Sequence, residues 1–254
     1  MTRTNEQYQR VYVNGYDLSG DARKLGNYGF KTDFPVDAAY SDAVKNGVLG
    51  RTQVTMGGIN AFLSPSAATG THELFKGGGV ITDLMIAIGV LGIPAVGCPV
   101  FAWRFGQTEY SAEGKDLVGV NINFADSAFS APLGYNLPFG LLTHAKSAET
   151  GANTAVGVIN NGASSALGGV FVYQAFSSNG TFTLSLDDSA TNANNAAFAA
   201  LSGATSGSID ASSTPKSGFI QLSNTATVRQ YLRWQLALGT ATTVTFACAF
   251  LRGV

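Results

Sequence analysis

Charged side chains are scarce in this chain of 254 residues. Asp, Glu, Lys and Arg make up 12% of it, against about 25% in an average soluble protein. Small neutral groups lose little hydration or side-chain entropy when another subunit covers them. The composition therefore favours extensive burial against copies of the same chain, with a monomer of neutral polar surface as the alternative. The scarcity is greatest after Gly151, where the charged residues are Asp187, Asp188, Asp210, Lys216, Arg229, Arg233 and Arg252.

Cysteine and net charge are also low. The two cysteines, Cys98 and Cys248, lie far apart in apolar stretches and predict free buried thiols rather than a disulfide framework. A net charge of −1 argues against a basic nucleic-acid-binding surface, although it is compatible with DNA that merely passes by. The first residues lack the apolar run of a secretory signal, so we expect synthesis in a cytoplasm.

The longest uncharged apolar segment, Leu84 to Trp103, has the length of a membrane span but not its composition. Glycines and prolines interrupt its centre, between two apolar pieces of strand length. We therefore predict two buried strands joined by a Gly/Pro loop, and no membrane span.

The residue sets that catalysis requires are missing. Neither His72 nor His144 has a second ligand at metal-binding spacing, and we expect both at a surface or an interface. The Gly77-Gly78-Gly79 run lacks the Lys-Ser/Thr of a phosphate loop. Asp187-Asp188 could bind calcium, but no second acidic cluster stands near it in sequence. We predict no enzyme, no cofactor and no metal.

Alternation of apolar and polar residues predicts an all-β fold, an antiparallel β-sandwich or barrel. It is clearest in Tyr231 to Leu238 and Val244 to Phe250, which we interpret as a hairpin with one buried face and a turn at Gly239. One short helix is expected at Ala38 to Asn46, between a capping Asp37 and a terminating Gly47. Further strands are expected at 10–13, 52–56, 81–91, 100–105, 117–124, 169–176, 181–186 and 217–222.

A Ser/Ala/Asn/Gly-rich stretch after Ser147 divides the chain. We predict one β domain over residues 1–150, and a second sandwich half or outer domain over residues 151–254.

Aromatic residues are dense in the first forty positions. Such density is typical of an interface or of a carbohydrate-stacking surface. In a chain so poor in charge, subunit contact is the simpler interpretation, and sugar binding stays open. The residues are Tyr12, Tyr16, Tyr28, Phe30, Phe34 and Tyr40.

The opening of the chain resembles the major tail tube proteins of long-tailed bacteriophages. The resemblance is carried by Val11-Tyr-Val-Asn-Gly-Tyr-Asp-Leu-Ser19, Phe34-Pro-Val-Asp-Ala-Ala-Tyr-Ser-Asp42 and Gln53-Val-Thr-Met-Gly57. That family has a strand with V-N-G-x-D-L-S, then V-D-x-T-x-x-x-D, then a Pro-Gly turn, for which this chain has Leu49-Gly50.

The resemblance implies a virion structural protein that forms rings, expected to be hexameric, which stack around a DNA channel. Its partners would be copies of itself and other virion proteins, with DNA as passing cargo. We expect assembly through the long segment between Phe30 and Arg51, and neutral or acidic groups on the channel wall because basic groups would retain phosphates. The assembly residues are Phe30, Phe34, Tyr40, Lys45 and Arg51, and the channel candidates are Asp33, Asp37 and Asp42.

Two other structural classes stay open at this stage. A capsid decoration or cement protein could be built on similar sandwiches. A carbohydrate-binding module of the host-recognition apparatus would use the exposed tyrosines.

Overall fold

The structure is a computed structural model that describes residues 8–32, 36–37, 46–47, 52–64, 70–79, 81–90, 92–113, 119–125, 138–151, 157–192 and 197–253. These residues form a short helix, α1 (Thr71–Phe75), and many strands. The strands are β1 (Gln9–Val13), β2 (Tyr16–Asp17), β3 (Ala22–Leu25), β4 (Tyr28–Thr32), β5 (Val36–Asp37), β6 (Asn46–Gly47), β7 (Thr52–Met56), β8 (Ile59–Phe62), β9 (Ile81–Ile88), β10 (Pro99–Glu113), β11 (Gly119–Phe124), β12 (Phe139–Glu149), β13 (Ile159–Asn160), β14 (Gly169–Ser178), β15 (Thr181–Ser189), β16 (Ala199–Thr205), β17 (Ile209–Asp210), β18 (Lys216–Gln221), β19 (Tyr231–Leu238) and β20 (Val244–Arg252).

Two sheets contain most of these strands, and all their pairings are antiparallel within the described residues, so the predicted all-β sandwich class is confirmed. The larger sheet has the order β18-β14-β20-β12-β10-β11-β8-β3, with β1, β2 and β9 branching from β10. The smaller has the order β13-β19-β15-β16, with β17 beside β15. Two short pairs, β4–β7 and β5–β6, complete the described strands.

Strands β14 and β20 lie between two hydrophobic cores. Their alternate residues face opposite ways, so Val172 and Ala249 enter the core shared with β1, β9, β10 and β11. Phe171 and Phe250 enter the core shared with β15 and β19. A strand buried on both faces has no polar side of its own, which explains why these segments are so apolar. The expectation of one buried face is wrong for β20.

The predicted C-terminal hairpin is also wrong. β19 pairs with β13 and β15 in the smaller sheet, whereas β20 pairs with β12 and β14 in the larger one. The residues between them form an arch from one sheet to the other, and the Ser178–Thr181 connection forms a second arch beside it. The Asn179 side chain ties the two arches together by accepting from the Thr242 and Thr243 amides, at 2.8 and 3.0 Å. The apolar faces of β19 and β20 therefore oppose each other across a core instead of lying side by side.

The helix expected at Ala38 to Asn46 falls almost wholly outside the described residues. Asp37 and Gly47, the expected helix ends, lie in the β5–β6 pair, where Asp37 is opposite Asn46. Residues 38–45 are outside the described ranges. The observed α1 follows Gly70, and buries Phe75 against the Phe124 ring at 6.3 Å.

The two arms of the larger sheet fold over the first core and are joined by a polar junction at Asp83. Its carboxylate accepts from Arg104 of the neighbouring strand and, at 2.9 Å, from the Ser217 hydroxyl of β18. The fully buried Gln174 of β14 donates to the Asp83 carbonyl at 3.0 Å. The β9 strand of one arm is thus hydrogen-bonded to β14 and β18 of the other.

The Val-Asn-Gly-Tyr-Asp-Leu-Ser motif forms the hairpin that enters this junction. Asn14 accepts from the Asp83 amide at 2.8 Å, and the Gly15 amide donates to the Gln174 side chain. Asp17 accepts from the Ser19 amide at 3.0 Å and from Lys146 of β12 at 2.7 Å. The motif residues therefore anchor the first hairpin to strands far along the chain.

The division at residue 150 stays a prediction. β12, which ends at Glu149, pairs with β20 along much of its length and with β10 at its start.

Gly15 provides a test of the hairpin anchor. It has φ of +84°, and a Cβ placed there would lie 2.6 Å from the Lys216 amide nitrogen and 2.8 Å from the Ala175 carbonyl oxygen. Gly15→Ala should therefore lower the free energy of unfolding by about 2–4 kcal/mol, since backbone strain and a backbone clash combine. Chemical denaturation measures the loss.

The matched control is Gly20→Ala in the same motif region, where a Cβ would meet nothing within 4 Å. That variant should stay within about 0.5 kcal/mol of the parent. Equal effects of the two substitutions would contradict the anchor.

Candidate assembly surface

The predicted assembly and channel residues fall largely outside the described ranges. Phe30 lies in β4 and is 49% exposed. Asp37 lies in β5, and the backbone pairing of β5 with β6 is described. The roles of these residues stay predictions. Those outside the described residues are Phe34, Tyr40, Lys45, Arg51, Asp33 and Asp42.

Two of the other early aromatics, Tyr12 and Tyr28, pack against rings inside the chain. Tyr12 is only 3% exposed and meets the Phe176 ring edge-on at 5.1 Å. Tyr28 packs on the buried Phe101 at 4.9 Å. The prediction of exposed aromatics is therefore wrong for Tyr12, because the fold-over of the larger sheet covers β1.

An apolar surface does form at the loop between β9 and β10. Ile93 is 74% exposed there, and Val90 and Val96 are 39% and 40% exposed. The base of this loop is held to β12, because the Gly97 amide donates to the Leu142 carbonyl at 2.7 Å and the Leu142 amide to the Cys98 carbonyl at 2.9 Å. Its apolar side chains are therefore presented to water from a fixed base.

Two phenylalanines extend the apolar character beyond the loop. Phe139, at the start of β12, is 38% exposed and packs edge-on against Phe101 at 5.4 Å. A Cβ at Gly29, next to Phe30, would lie 4.0 Å from the Phe139 ring. We call Phe30, Val90, Ile93, Val96 and Phe139 the apolar rim. Complete burial of such a side chain contributes about 1.5–3 kcal/mol, and covering a partly exposed one contributes the corresponding fraction.

The C-terminal surface is even less charged than its sequence indicates, because most of its charges are used internally. Arg233, 6% exposed, binds Asp187 at 2.9 Å. Asp188 is 4% exposed and accepts from the Arg229 amide at 2.8 Å. Arg252 donates to the Val228 carbonyl at 2.8 Å. Asp210 and Lys216 form none of these contacts, and Arg229 contributes its backbone amide while its side chain stays 44% exposed. The other four of the seven charges are used within the chain, so fewer charges would need desolvation when this surface is covered.

These contacts also explain the Asp187-Asp188 pair, whose carboxylates bind groups of the chain itself. Asp187 accepts from Gln235 at 2.6 Å in addition to Arg233. Among the described residues, no group of three or more His, Cys, Asp or Glu side chains could hold a metal ion. No helix in the described part of the chain is both long and apolar enough to cross a membrane.

Both cysteines are free thiols, as expected from their spacing. Cys248 is fully buried, and burial raises the pKa of its thiol to about 12. Cys98 is half-buried at the base of the apolar loop. A thiol with so high a pKa stays protonated and unreactive at neutral pH.

His144 is buried rather than exposed. Its ring stacks on Phe246 at 4.0 Å and meets Trp234 edge-on at 4.5 Å. Two bulges in the β12–β20 pairing, on either side of His144, bring Ser147 and Glu149 to the ring. Strict alternation would have separated these side chains, which is why their spacing in sequence did not reveal the group.

The arrangement of this group differs from that of a hydrolytic triad. Glu149 Oε1 lies 3.0 Å and Ser147 Oγ 3.2 Å from the same nitrogen, His144 Nε2. The other nitrogen, Nδ1, faces the Phe246 carbonyl oxygen at 3.2 Å. A triad needs serine and acid on opposite ring nitrogens. The group is instead a polar contact within the wall of the second core.

No family model matches the chain, and no curated protein matches it. Among solved structures, the chain is similar to the SPP1 Dit (gp 19.1) protein, described as a paradigm of the hub adsorption apparatus in phages that infect Gram-positive bacteria. The two are 11% identical with a TM-score of 0.31, over 97% of this chain and 99% of that one. A score at this level does not establish a shared fold.

His144 should make stability depend on pH. Burial lowers its pKa below the ordinary value of 6.5, although the Glu149 contact opposes this. The neutral ring is therefore the form that folding favours. Its contribution should be complete above pH 6.5 and decline as the pH falls below that value, by at most about 1.4 kcal/mol per pH unit.

His144→Phe keeps an aromatic ring between Trp234 and Phe246 and removes the titration. Denaturant unfolding of both proteins at several pH values between about 7.5 and 5 measures the effect. The parent should lose stability relative to the variant as the pH falls. A difference that stays constant, or that moves in favour of the parent at low pH, would contradict burial as the dominant influence.

Proposed function

We propose that this chain is a structural subunit of a bacteriophage virion, a tail protein that assembles with copies of itself. The observation that carries the proposal is the apolar rim. The rim exposes five of the seven large apolar side chains that are exposed in the described residues, and three of the five stand on a loop whose base is held to β12 by hydrogen bonds. Exposed apolar clusters are typical of protein interaction sites.

The charge distribution supports self-association. Asp187, Asp188, Arg233 and Arg252 bind within the chain, so a partner subunit would meet few charges among mostly small neutral side chains. Desolvating such groups costs little compared with desolvating ions. Long-lived homo-oligomer interfaces are correspondingly apolar.

Within this class we propose a tail tube subunit that forms stacked rings around a DNA channel. The support is the resemblance of the first sixty residues to major tail tube proteins. In this chain the resembling Val-Asn-Gly-Tyr-Asp-Leu-Ser motif anchors a hairpin, which makes it a feature of the fold and not of a catalytic site. The chain would act in the virion and would not be an enzyme.

Assembly is tested by changing the centre of the rim. Ile93→Asp should raise the dissociation constant of self-association by about 10- to 100-fold or more, because a charge replaces a side chain that association buries. Sedimentation velocity and negative-stain electron microscopy of the purified protein measure it. The parent should form rings or tubes with a central bore.

Ser213→Asp is the matched control, since Ser213 is exposed and outside the rim. It should leave assembly unchanged, and both variants should keep the circular dichroism spectrum of the parent. A parent that stays monomeric, or that adds only to preformed capsids, would contradict the tail proposal and favour a decoration protein.

The channel hypothesis has its own test. Changing Asp33, Asp37 and Asp42 together to Lys should leave rings intact but slow DNA passage, because lysines on a channel wall attract phosphates. Rates of DNA delivery by particles that carry the triple variant measure this. Normal infectivity with normal assembly would contradict the position of these residues in the channel.

A further inference from the structure

A polar groove lies in the larger sheet where β3, β8 and β11 run side by side. It has a volume of about 480 Å³, within the range of about 300–1,000 Å³ for small-ligand sites. Its walls carry two cations, three asparagines and three glycines. The lining residues are Arg23, Lys24, Gly26, Gly57, Gly58, Ile59, Asn60, Asn121 and Asn123.

A bulge in β3 brings the two cations into the groove. Ala22 is opposite Ala61 and Lys24 is opposite Asn60, so Arg23 is the extra residue in the pairing. Arg23 and Lys24 are consecutive, yet both are exposed and both line the groove. Within the described residues, Lys24 forms no ion pair, and the guanidinium of Arg23 lies 4.9 Å from the centre of the Phe62 ring.

The asparagines form a row of amides across the sheet. Asn60 is opposite Asn121 and donates to its side-chain oxygen at 2.6 Å. Asn123 donates to Glu109 at 2.7 Å. These contacts use the amide nitrogens, so the carbonyl oxygens of Asn60 and Asn123 have no donor among the described side chains. They are available to accept hydrogen bonds from a ligand.

The glycines keep this side of the groove open. The Gly26 amide donates to the Gly58 carbonyl at 2.9 Å, and the Gly57 amide to the Asn27 carbonyl at 2.8 Å, so two chain segments cross in close contact. A Cβ at Gly58 would come within 2.6 Å of the Asn123 oxygen. A side chain there would displace the amide that the groove presents.

The donors and acceptors of the groove define the ligand. Two cations require an anionic group, and free amide oxygens require donors such as hydroxyls. From this combination, we infer that the groove binds an anionic glycan, with its carboxylate, sulfate or phosphate on Arg23 and Lys24 and its sugar hydroxyls on Asn60 and Asn123. This site is separate from the proposed assembly role and does not depend on it.

A nucleic acid fits the groove less well. Binding a phosphate backbone relies on a row of cations and on aromatic faces for the bases. The groove has only two lining cations. The Glu109 carboxylate binds Asn123 of the groove, and the Phe62 ring is already in contact with Arg23. Binding of a nucleic acid would therefore overturn the inference.

The test is an array of anionic and neutral glycans probed with the purified full chain. The expected result is binding to carboxylated, sulfated or phosphorylated glycans above their neutral counterparts. In a titration of the strongest glycan, Arg23→Gln with Lys24→Gln should weaken binding by about ten-fold or more. The matched control, Lys76→Gln with Lys216→Gln, removes the same charge from exposed positions outside the groove and should bind like the parent.

Asn60→Ala separates recognition from charge attraction. It should also weaken glycan binding, because a hydroxyl acceptor is lost while both cations remain. No glycan above background, hits on neutral glycans only, or equal losses in the groove and control variants would overturn the inference. Binding of a DNA oligonucleotide without any glycan would do the same, and none of these outcomes bears on ring or tube formation.

Discussion

The burial of β14 and β20 on both faces is the constraint on which the rest of the structure depends. One face of this strand pair closes the core of the larger sheet, and the other closes the core shared with the smaller sheet. Phe171 and Phe250 lie on the side of the smaller sheet, and Ala247 and Ala249 lie on the other side. A polar substitution in this pair would therefore disturb both cores at once.

The polar junction at Asp83 follows from the same arrangement. When the arms of the larger sheet fold over a core, the strands that meet there bring buried polar groups with them, and these groups need partners. Gln174 and the Asn14-Gly15 turn supply several of them. This explains why a short motif near the start of the chain matters to strands more than a hundred and fifty residues later.

The apolar rim and the groove beside Arg23 and Lys24 differ in their physical character. The apolar rim offers burial without charge, which suits a partner of the same composition. The groove beside Arg23 and Lys24 offers charge and amides without a large apolar area, which suits a polar ligand that stays in contact with water. A single subunit could therefore assemble through one surface and bind a ligand through the other.

Alternation and composition were sufficient to predict the strand class, ten of the twenty described strands and the free cysteines, because these depend on local side-chain chemistry. The pairing of strands was not predictable in the same way. β19 and β20 alternate like a hairpin, but whether such strands pair or cross between sheets depends on cores formed by distant segments. The bulges at His144 and Arg23 likewise depend on the register of strand pairing. The first brings Ser147 and Glu149 to His144, and the second places Arg23 and Lys24 in one groove. The sequence by itself thus determined an all-β chain with little charge to place on its surface, and only the tertiary structure decided which charges are used internally and which apolar side chains remain exposed.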